Sequence, residues 1–280
     1  MSDVKNIIIK VIPSKVANEF VKKNHYSGKV VMGGNGVHFG AFLNDMLHGV
    51  MSFGNPLDKR KVIGLVHTKE NKPCLWNEML ELNRMAFDSF LPKNSESRSI
   101  AIAIKLLKKN APHIKWILSY ADGCQCGDGS IYRAVGFHLT MIKKNNQLIK
   151  TGKGEIVHKH SLNQVNFKGE SGDNNFKASN LLQLTNGSYS TKKYFETIGE
   201  TYSPLEGFQL RYIYIIDKSC HLNTNDLPFS EIDKLNAGMY RGEKISVKER
   251  KLKSVKSIVN DAVTNPSEES GAEPTLTHHE

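Results

Sequence analysis

The segment from Lys115 to Phe137 (KWILSYADGCQCGDGSIYRAVGF) constrains the fold of this chain more than any other. Its apolar run at 116–118 predicts a short buried strand, and a polar cluster at 119–122 follows directly. A glycine-rich turn and a short helix at 130–135 come next. Polar groups at the end of a buried strand, beside a turn and a helix N-terminus, form a recurring geometry for binding and chemistry. We therefore expect a functional site here.

The other predicted elements alternate between strands and helices, which indicates a mixed α/β domain. They are a strand at 4–12, a helix at 15–23 capped by Ser14, a hairpin of 37–43 and 47–53, a strand at 78–87, an amphipathic helix at 99–109, a strand at 113–118, a hairpin of 138–150 and 154–161, and a strand at 208–216. We expect a mostly antiparallel central sheet with one main crossover. The N-terminus of the crossover helix suits a phosphate-bearing cofactor.

Composition divides the chain into five expected regions. They are a catalytic core at 1–163, a loop-rich insertion at 164–205, a strand at 206–220 that completes the core sheet, a basic C-terminal helical extension at 221–262 and a disordered tail at 263–280. The extension is predicted to form two helices between residues 230 and 260.

The net charge of +10 and the pI near 9.3 favour polyanionic partners, with nucleic acid first. Four unevenly spaced cysteines are too few for a disulfide framework, which favours a reducing cytoplasm. No apolar run is long enough to cross a bilayer, so we expect no membrane partner. The N-terminal residues have the pattern of a strand rather than of a secretory signal.

Several segments resemble the bacteriophage Mom-type DNA modification family. They are Asn24–Gly28, Glu81–Arg84, Lys93–Arg98, Ser119–Gly123 and Gly154–Leu162, in that order. The segment Ser130–Phe137 resembles the short helix of GNAT-type N-acetyltransferases. Together these similarities cover about residues 5–165 and the strand at 208–217. They imply a GNAT acetyltransferase-like fold.

The resembled family converts the exocyclic N6 of adenine in phage DNA to a carbamoylmethyl derivative, which blocks host restriction. The resemblance therefore implies a transferase that acts on double-stranded DNA in the cytoplasm of a host cell. Two other classes stay open. One is an acetyltransferase acting on a protein or small-molecule amine, and the other is a non-catalytic DNA-binding member of the fold.

Residue types and the resemblance together predict a catalytic group of His25, Tyr26, Arg84, Ser119 and Asp122. His25 and Tyr26 suit a general base and a base-stacking pair, or a structural hydrogen-bonded pair. Asp122 is expected to accept a proton or hold the amine, with Ser119 beside it, or to cap the turn. Arg84 either pairs with an acid such as Asp122 or binds an anion.

The donor is expected at the start of the crossover helix. Ser95, Ser97, Arg98 and Ser99 precede it, and free amides there bind phosphate well. The alternative is a simple serine cap. The resemblance implies that Tyr132 lies near the donor, which would be acetyl-CoA or another acyl donor.

Two features count against simple acetyl transfer. Ala101 stands where the superfamily's pyrophosphate loop has its first glycine, which leaves less room for coenzyme A. Acetyl transfer would also place a carbonyl carbon on N6, whereas a carbamoylmethyl group has a methylene there. Another donor or a further activation is therefore needed, and a metal such as iron is one option.

An adenine inside a duplex must be extruded before its N6 can react, and an extruded base needs aromatic side chains to stack on. Tyr26, Phe39, Phe42 and Tyr120 are the candidates for that role. For the phosphates, the basic stretch with Lys244, Lys248, Arg250 and Lys251 is predicted to bind DNA, unless it is only a solvated helix face.

Two alternating pairs suggest a metal site, because alternate residues of a strand share a face. They are Cys124 with Cys126 and His158 with His160. Neither has the spacing of a structural zinc site, so whether a metal binds stays open.

Overall fold

The computed structural model describes residues 4–30, 36–56, 58–162 and 190–252. Its strands are β1 (Ile8–Val11), β2 (Val37–Leu43), β3 (Met46–Gly54), β4 (Val66–His67), β5 (Met79–Phe87), β6 (Trp116–Gly123), β7 (His138–Lys144), β8 (Leu148–Thr151), β9 (Ile156–His158), β10 (Tyr202–Pro204), β11 (Phe208–Ile215), β12 (His221–Leu222), β13 (Met239–Tyr240) and β14 (Glu243–Lys244). Its helices are α1 (Ser14–Asn24), α2 (Ser95–Asn110), α3 (Ser130–Val135), α4 (Lys159–Leu162), α5 (Thr191–Thr197) and α6 (Ser230–Lys234), and residues 247–252 are also helical. Within these ranges, no helix has the length and apolar character to span a membrane.

A seven-stranded sheet with the order β1-β2-β3-β5-β6-β11-β7 forms the core. β5 and β6 are parallel, and the other neighbouring pairs are antiparallel. A parallel pair needs a crossover connection, and α2 lies in the one between β5 and β6. The predicted mixed, mostly antiparallel sheet with a crossover helix is confirmed.

The hairpin of β2 and β3 forms as predicted. Asn44 and Asp45 connect the strands with φ values of 50° and 59°. A two-residue hairpin turn requires such left-handed values, and Asn and Asp tolerate them better than most residues.

Two predicted boundaries shift towards the site. α2 begins at Ser95 rather than Ser99, directly after Asn94, whose left-handed φ of 71° ends the preceding loop. β6 continues to Gly123, because β11 pairs with it along its whole length. The polar cluster 119–122 therefore lies within a strand, and its side chains alternate between the two faces of the sheet.

Different helices cover the two faces of the sheet. α2 packs against one face, where Met51 and Ile117 belong to the main core. α1 packs against the opposite face, over Val50 and Ala86. We call these the α2 face and the α1 face.

The hairpin expected from 138–150 and 154–161 forms only in part, since residues 148–150 pair with 156–158 and residues 138–144 do not take part. β7 joins the central sheet beside β11, while β8 pairs with β9 and β10 in a separate sheet. Asn145 separates β7 from β8, since its side-chain amide donates to the carbonyls of Leu148 and Leu205. That turn sends β8 away from the central sheet.

The insertion and the extension contain more regular structure than expected. Residues 163–189 lie outside the described residues, but 190–205 include α5 and β10. Of the two helices expected between 230 and 260, the first is the short α6 and the second begins at residue 247, with the β13-β14 hairpin between them; residues 253–260 lie outside the described residues. The predicted tail lies outside the described residues.

Candidate active site

The central sheet opens between β5 and β6. Their paired register runs from Met79 opposite Trp116 to Leu82 opposite Ser119. Beyond those pairs, β5 pairs only with β3 and β6 pairs only with β11. Ligand sites in α/β folds commonly lie where adjacent strands separate at their carboxyl ends. We call this opening the gap.

A bulge in β5 selects the side chains that face the gap. Two adjacent residues of β3 pair with Leu82 and Arg84, so Asn83 is an extra residue in β5. In a regular strand, Glu81 and Arg84 would point to opposite faces of the sheet, because they are three positions apart. The bulge brings both onto the α1 face.

The loop after α1 reaches across the gap to β6. The hydroxyl of Tyr26 donates to Oδ2 of Asp122 at 3.1 Å. Asp122 also accepts from the side-chain amides of Gln125 (2.9 Å) and Gln209 (3.0 Å) and from the backbone amide of Cys124 (3.0 Å). Four donors fix this carboxylate in one orientation. Burial and the Asp122 charge raise the pKa of Tyr26, so its phenol stays protonated.

His25 stacks on Tyr26 with the ring centroids 4.3 Å apart. Its Nδ1 accepts from the backbone amide of Ser27 (3.2 Å) and lies 2.8 Å from the Ser27 hydroxyl. Because a backbone amide can only donate, Nδ1 carries no proton and the neutral ring is protonated at Nε2. Burial and the charge of Arg84 lower the pKa of His25 to about 4, partly offset by Asp122. The neutral ring is therefore a donor through Nε2.

Arg84 does not form the predicted ion pair with Asp122. Its Nε donates to the carbonyl of Lys29 (3.0 Å), and its guanidinium also donates to the carbonyl of Asn83 (2.7 Å). The four donors around Asp122 come from other residues. Arg84 instead fastens the loop that carries His25 and Tyr26 onto β5.

Glu81 is a site residue that the sequence reasoning missed. Burial raises its pKa to about 7, although the Asn83 amide and the Arg84 charge act in the opposite direction. The Glu81 charge also contributes to the raised pKa of Tyr120, whose main cause is burial. Its signals in the sequence are its position as an acid between Leu80 and Leu82 in a strand and its place in the resembling segment Glu81–Arg84. Glu81 can exchange a proton near neutral pH.

The expectation that Ser119 faces the same pocket as Asp122 is wrong. Side chains alternate along β6, so Ser119 and Asp122 point to opposite faces. Ser119 is buried and donates to the carbonyl of Leu82 at 3.4 Å. A hydrogen bond with Ser119 also acts on Tyr132, which packs against Tyr212 and whose pKa burial raises to about 12. Ser119 and Tyr132 therefore belong to the α2 face.

Two of the four expected stacking residues belong to the core. Phe39 is buried and packs edge-on against Phe53, and Phe42 packs into the cluster under α1. Phe39 cannot receive a base, since apolar neighbours cover it, and the Lys10 ammonium lies 5.3 Å from the centroid of the partly buried Phe42 ring. Tyr26 and Tyr120 are 51% and 39% exposed, so both remain available for stacking.

The first turn of α2 has the features of an anion site. The hydroxyls of Ser95 and Ser97 donate to carbonyls of the preceding loop. Ser99 Oγ and Arg98 Nε are buried, and within the described residues they have no hydrogen-bond partner. The first amides of a helix also lack partners within it. These donors fit a phosphate group, while Glu96 in the same turn opposes one.

Within the part of the chain that the structure describes, no three His, Cys, Asp or Glu side chains form a group that could hold a metal ion. Burial, followed by the Asp122 charge, raises the pKa of Cys124 to about 12 and also raises the pKa of Cys126. Both thiols are therefore protonated at neutral pH. Of the other pair, His158 is exposed, and the side chain of His160 lies outside the described residues.

The four basic residues predicted to bind DNA separate into two kinds. Lys244, Lys248 and Lys251 are exposed. Arg250 instead forms an internal ion pair with the fully buried Asp128 at 3.0 Å, which Arg133 shares at 2.9 Å. That pairing occupies Arg250 and attaches the extension to the turn before α3.

The chain matches the model of the Mom protein family over residues 6–231. A relative described as methylcarbamoylase mom, from Escherichia phage Mu, is 29% identical over 169 residues. That match covers 60% of this chain and 66% of the relative, just under two thirds of its length.

Similar solved structures include a Bacillus subtilis acetyltransferase in complex with CoA and an IAA acetyltransferase from Bacillus cereus. The first is 13% identical with a TM-score of 0.38 and covers 75% of this chain and 98% of its own. The second is 11% identical with a TM-score of 0.39 and covers 75% of this chain and 99% of its own.

Proposed function

Because the chain belongs to the Mom protein family, we propose that it is a transferase that modifies adenine in DNA. The expected product carries a carbamoylmethyl group, or a related group, on the exocyclic N6. The description of the phage Mu relative as a methylcarbamoylase supports a small group of this kind. Such a modification would protect phage DNA from host restriction.

The observation that carries this proposal is the hydrogen bond from Tyr26 to Asp122 across the gap. Adenine N6 lies inside the duplex, so the base must be extruded or already single-stranded. Tyr26 and Tyr120 offer partly exposed rings on the α1 face, and base–aromatic stacking is a common way to hold such a base.

We propose that Tyr26 and Asp122 together remove the proton from N6. The phenol oxygen of Tyr26 can accept a proton from the amine while its own hydroxyl proton moves to Asp122. Gln125 and Gln209 keep the carboxylate in place for that transfer. His25 is assigned a donor role through Nε2 rather than the role of base, because its Nδ1 already accepts from Ser27.

The donor is assigned to the α2 face. Arg98 and Ser99, with the first amides of α2, would hold its phosphates, and Tyr132 and Ser119 would line the inner wall beside it. An acyl donor such as acetyl-CoA would by itself place a carbonyl carbon on N6, so a carbamoylmethyl product requires another donor at this position, or a further activation, that presents a methylene carbon to the amine. The gap joins the two faces, so amine and donor can approach from opposite sides.

The exposed Lys244, Lys248 and Lys251 stay in the proposal as phosphate contacts. The hairpin that carries Lys244 lies beside the turn that follows Asp122, because the amide of Gly242 donates to the carbonyl of Cys126 at 3.0 Å, and Lys248 and Lys251 lie in the helical residues 247–252 that come after it. A DNA strand on these lysines would therefore pass close to Asp122.

The test is mass spectrometry of nucleosides from the DNA of a host that expresses the protein. A mass-shifted deoxyadenosine is expected with the wild type and strongly reduced in Asp122→Ala. A shifted nucleoside that persists in both His25→Ala and Asp122→Ala would overturn the site but not the function. Turnover of acetyl-CoA on free amines without a DNA product would favour an ordinary acetyltransferase. DNA binding with neither product would favour a non-catalytic role.

A further inference from the structure

Among the residues that the structure describes, the elements that cover the α1 face leave part of it exposed. α1 packs over β2, β3 and β5, and a loop that includes Val62 and Cys74 packs over Trp116 and Leu118 in the first half of β6. Between these covers lies a patch of β6, β11 and β7 that we call the open face. Its side chains, all partly or fully exposed, are Tyr120, Asp122, Met141, Lys143, Gln209 and Arg211.

The strand register places these side chains on one surface. Gln209 of β11 lies opposite Asp122 of β6 on one side and opposite Lys143 of β7 on the other. Residues directly opposite each other in antiparallel strands point to the same face. The bond from Gln209 to Asp122 confirms this for the first pair. Lys143 therefore lies two strand spacings, about 10 Å, from the catalytic carboxylate.

Arg211 is a half-buried cation on this face that no acid neutralises within the described residues. Its guanidinium donates to the hydroxyls of Thr140 (2.9 Å) and Thr224 (3.2 Å), and no carboxylate pairs with it in that part of the chain. Two more deeply buried arginines, Arg133 and Arg250, are compensated differently, since they share Asp128. A desolvated guanidinium without an acid suits an anionic ligand.

The two cations are spaced for one nucleic-acid strand. Arg211 lies opposite Met141, and Lys143 is two residues further along β7. Such diagonal neighbours are about 7–8 Å apart. The phosphates of one strand recur at about 3.4 Å of helix rise, so both cations can contact a short stretch of backbone.

We propose that Arg211 and Lys143 bind the DNA backbone beside the extruded adenine and so fix the path of the modified strand over the open face. This inference rests on the proposed function and deepens it. The strand crosses β7 and β11, its base stacks at Tyr120 and Tyr26, and N6 reaches Asp122. The Arg211 fork and the Lys143 ammonium supply the charge that the polyanionic strand requires.

The test is the affinity for a duplex oligonucleotide, measured by fluorescence anisotropy at several salt concentrations. We expect Arg211→Gln and Lys143→Ala each to make the negative slope of log affinity against log salt shallower by about 0.9. Each should also reduce the affinity at 0.1 M salt roughly eightfold. Arg211→Lys should recover most of the slope, because it keeps the charge. Lys108→Ala, at the far end of α2, removes the same charge and should change neither quantity.

The outcomes separate the two proposals. A wild type that modifies DNA, with Arg211→Gln and Lys108→Ala giving equal slopes, would overturn this inference alone. A wild type that neither binds nor modifies DNA would overturn the proposed function and this inference with it. If Arg211→Gln unfolds at the same temperature as the wild type, a weaker salt dependence of its affinity is not a folding defect. If the salt dependence weakens only in variants that unfold at a lower temperature, the inference is contradicted.

Discussion

Tyr26 and Asp122 stand 96 positions apart in the chain, and a 3.1 Å hydrogen bond joins them across the gap between β5 and β6. The bond connects the loop after α1 to the carboxyl-terminal end of β6. It also gives the phenol a carboxylate as proton acceptor. In our account this pair takes the proton from adenine N6.

Removing only the Tyr26 hydroxyl should abolish that transfer. Tyr26→Phe keeps the ring for stacking but breaks the link to Asp122, and general-base catalysis contributes roughly 10²- to 10⁴-fold. We expect the single-turnover rate on duplex DNA to fall by that factor while the affinity for DNA changes little. Tyr202→Phe, in the separate three-stranded sheet, is the matched control. Equal rates for the two variants would contradict the assignment.

Asp122→Asn should destabilise the fold as well as inactivate the protein. Its four partners all donate, so an amide NH₂ at this position would meet another donor. An unsatisfied group of this kind costs about 1–3 kcal/mol. Urea unfolding should detect that loss in Asp122→Asn and a smaller one in Tyr26→Phe. An Asp122→Asn variant as stable as the wild type would show that this network is not formed.

Glu81 should make stability depend on pH near neutrality. Its folded pKa of about 7 lies above the ordinary value of 4.5, so the folded state binds the proton more tightly than the unfolded state. Stability from this group is therefore fully present below about pH 4.5 and is lost as the pH rises towards 7. Glu81→Gln cannot ionise and should gain stability over the wild type between pH 5 and pH 8. A difference that does not vary with pH would exclude this environment for Glu81.

His25 should affect stability in the opposite direction. Its pKa of about 4 in the folded state lies below the ordinary 6.5, so the unfolded state binds the proton more tightly. The wild type should hold its stability above pH 6.5 and lose part of it as the pH falls towards 4. The free energy of unfolding of His25→Gln, measured across this pH range, should not show the part of the loss that His25 causes in the wild type. If both proteins lose stability in parallel, His25 is not buried as described.

The ion pairs at Asp128 should anchor the extension. Asp128→Ala leaves Arg133 and Arg250 without their shared acid, and breaking a buried pair in this way costs about 3–5 kcal/mol. Arg250→Gln leaves the Arg133 pair intact and should cost less. Thermal unfolding of both variants shows which one loses more stability. A larger loss in Arg250→Gln than in Asp128→Ala would mean that Arg250 carries most of the stabilisation.

Local chemistry explains what could be predicted from the sequence. Asn44 and Asp45 set the turn between β2 and β3 by themselves, and the apolar period of α2 needs no partner to be seen. The crossover and the mixed sheet follow from the order of such elements. The resemblance motifs contain His25, Asp122 and Arg84, which the fold brings to one end of the sheet.

Relationships between distant residues could not be predicted. The bulge at Asn83 depends on pairing with β3, and it alone puts Glu81 and Arg84 on one face. The partner of Arg250 is 122 residues away, so its basic stretch looks like any solvated helix. Ser119 is predicted on the wrong face for a different reason: the apolar run predicts a strand that ends at residue 118, whereas β6 continues to Gly123 and its alternation includes Ser119 and Asp122.

The most direct test compares modified deoxyadenosine, by mass spectrometry of digested DNA, among cells that express the wild type, Tyr26→Phe or Tyr202→Phe. We predict a deoxyadenosine heavier by one carbamoylmethyl substitution with the wild type and Tyr202→Phe, and a near-complete loss with Tyr26→Phe. Equal amounts in all three samples, or no modified deoxyadenosine in any of them, would contradict the account.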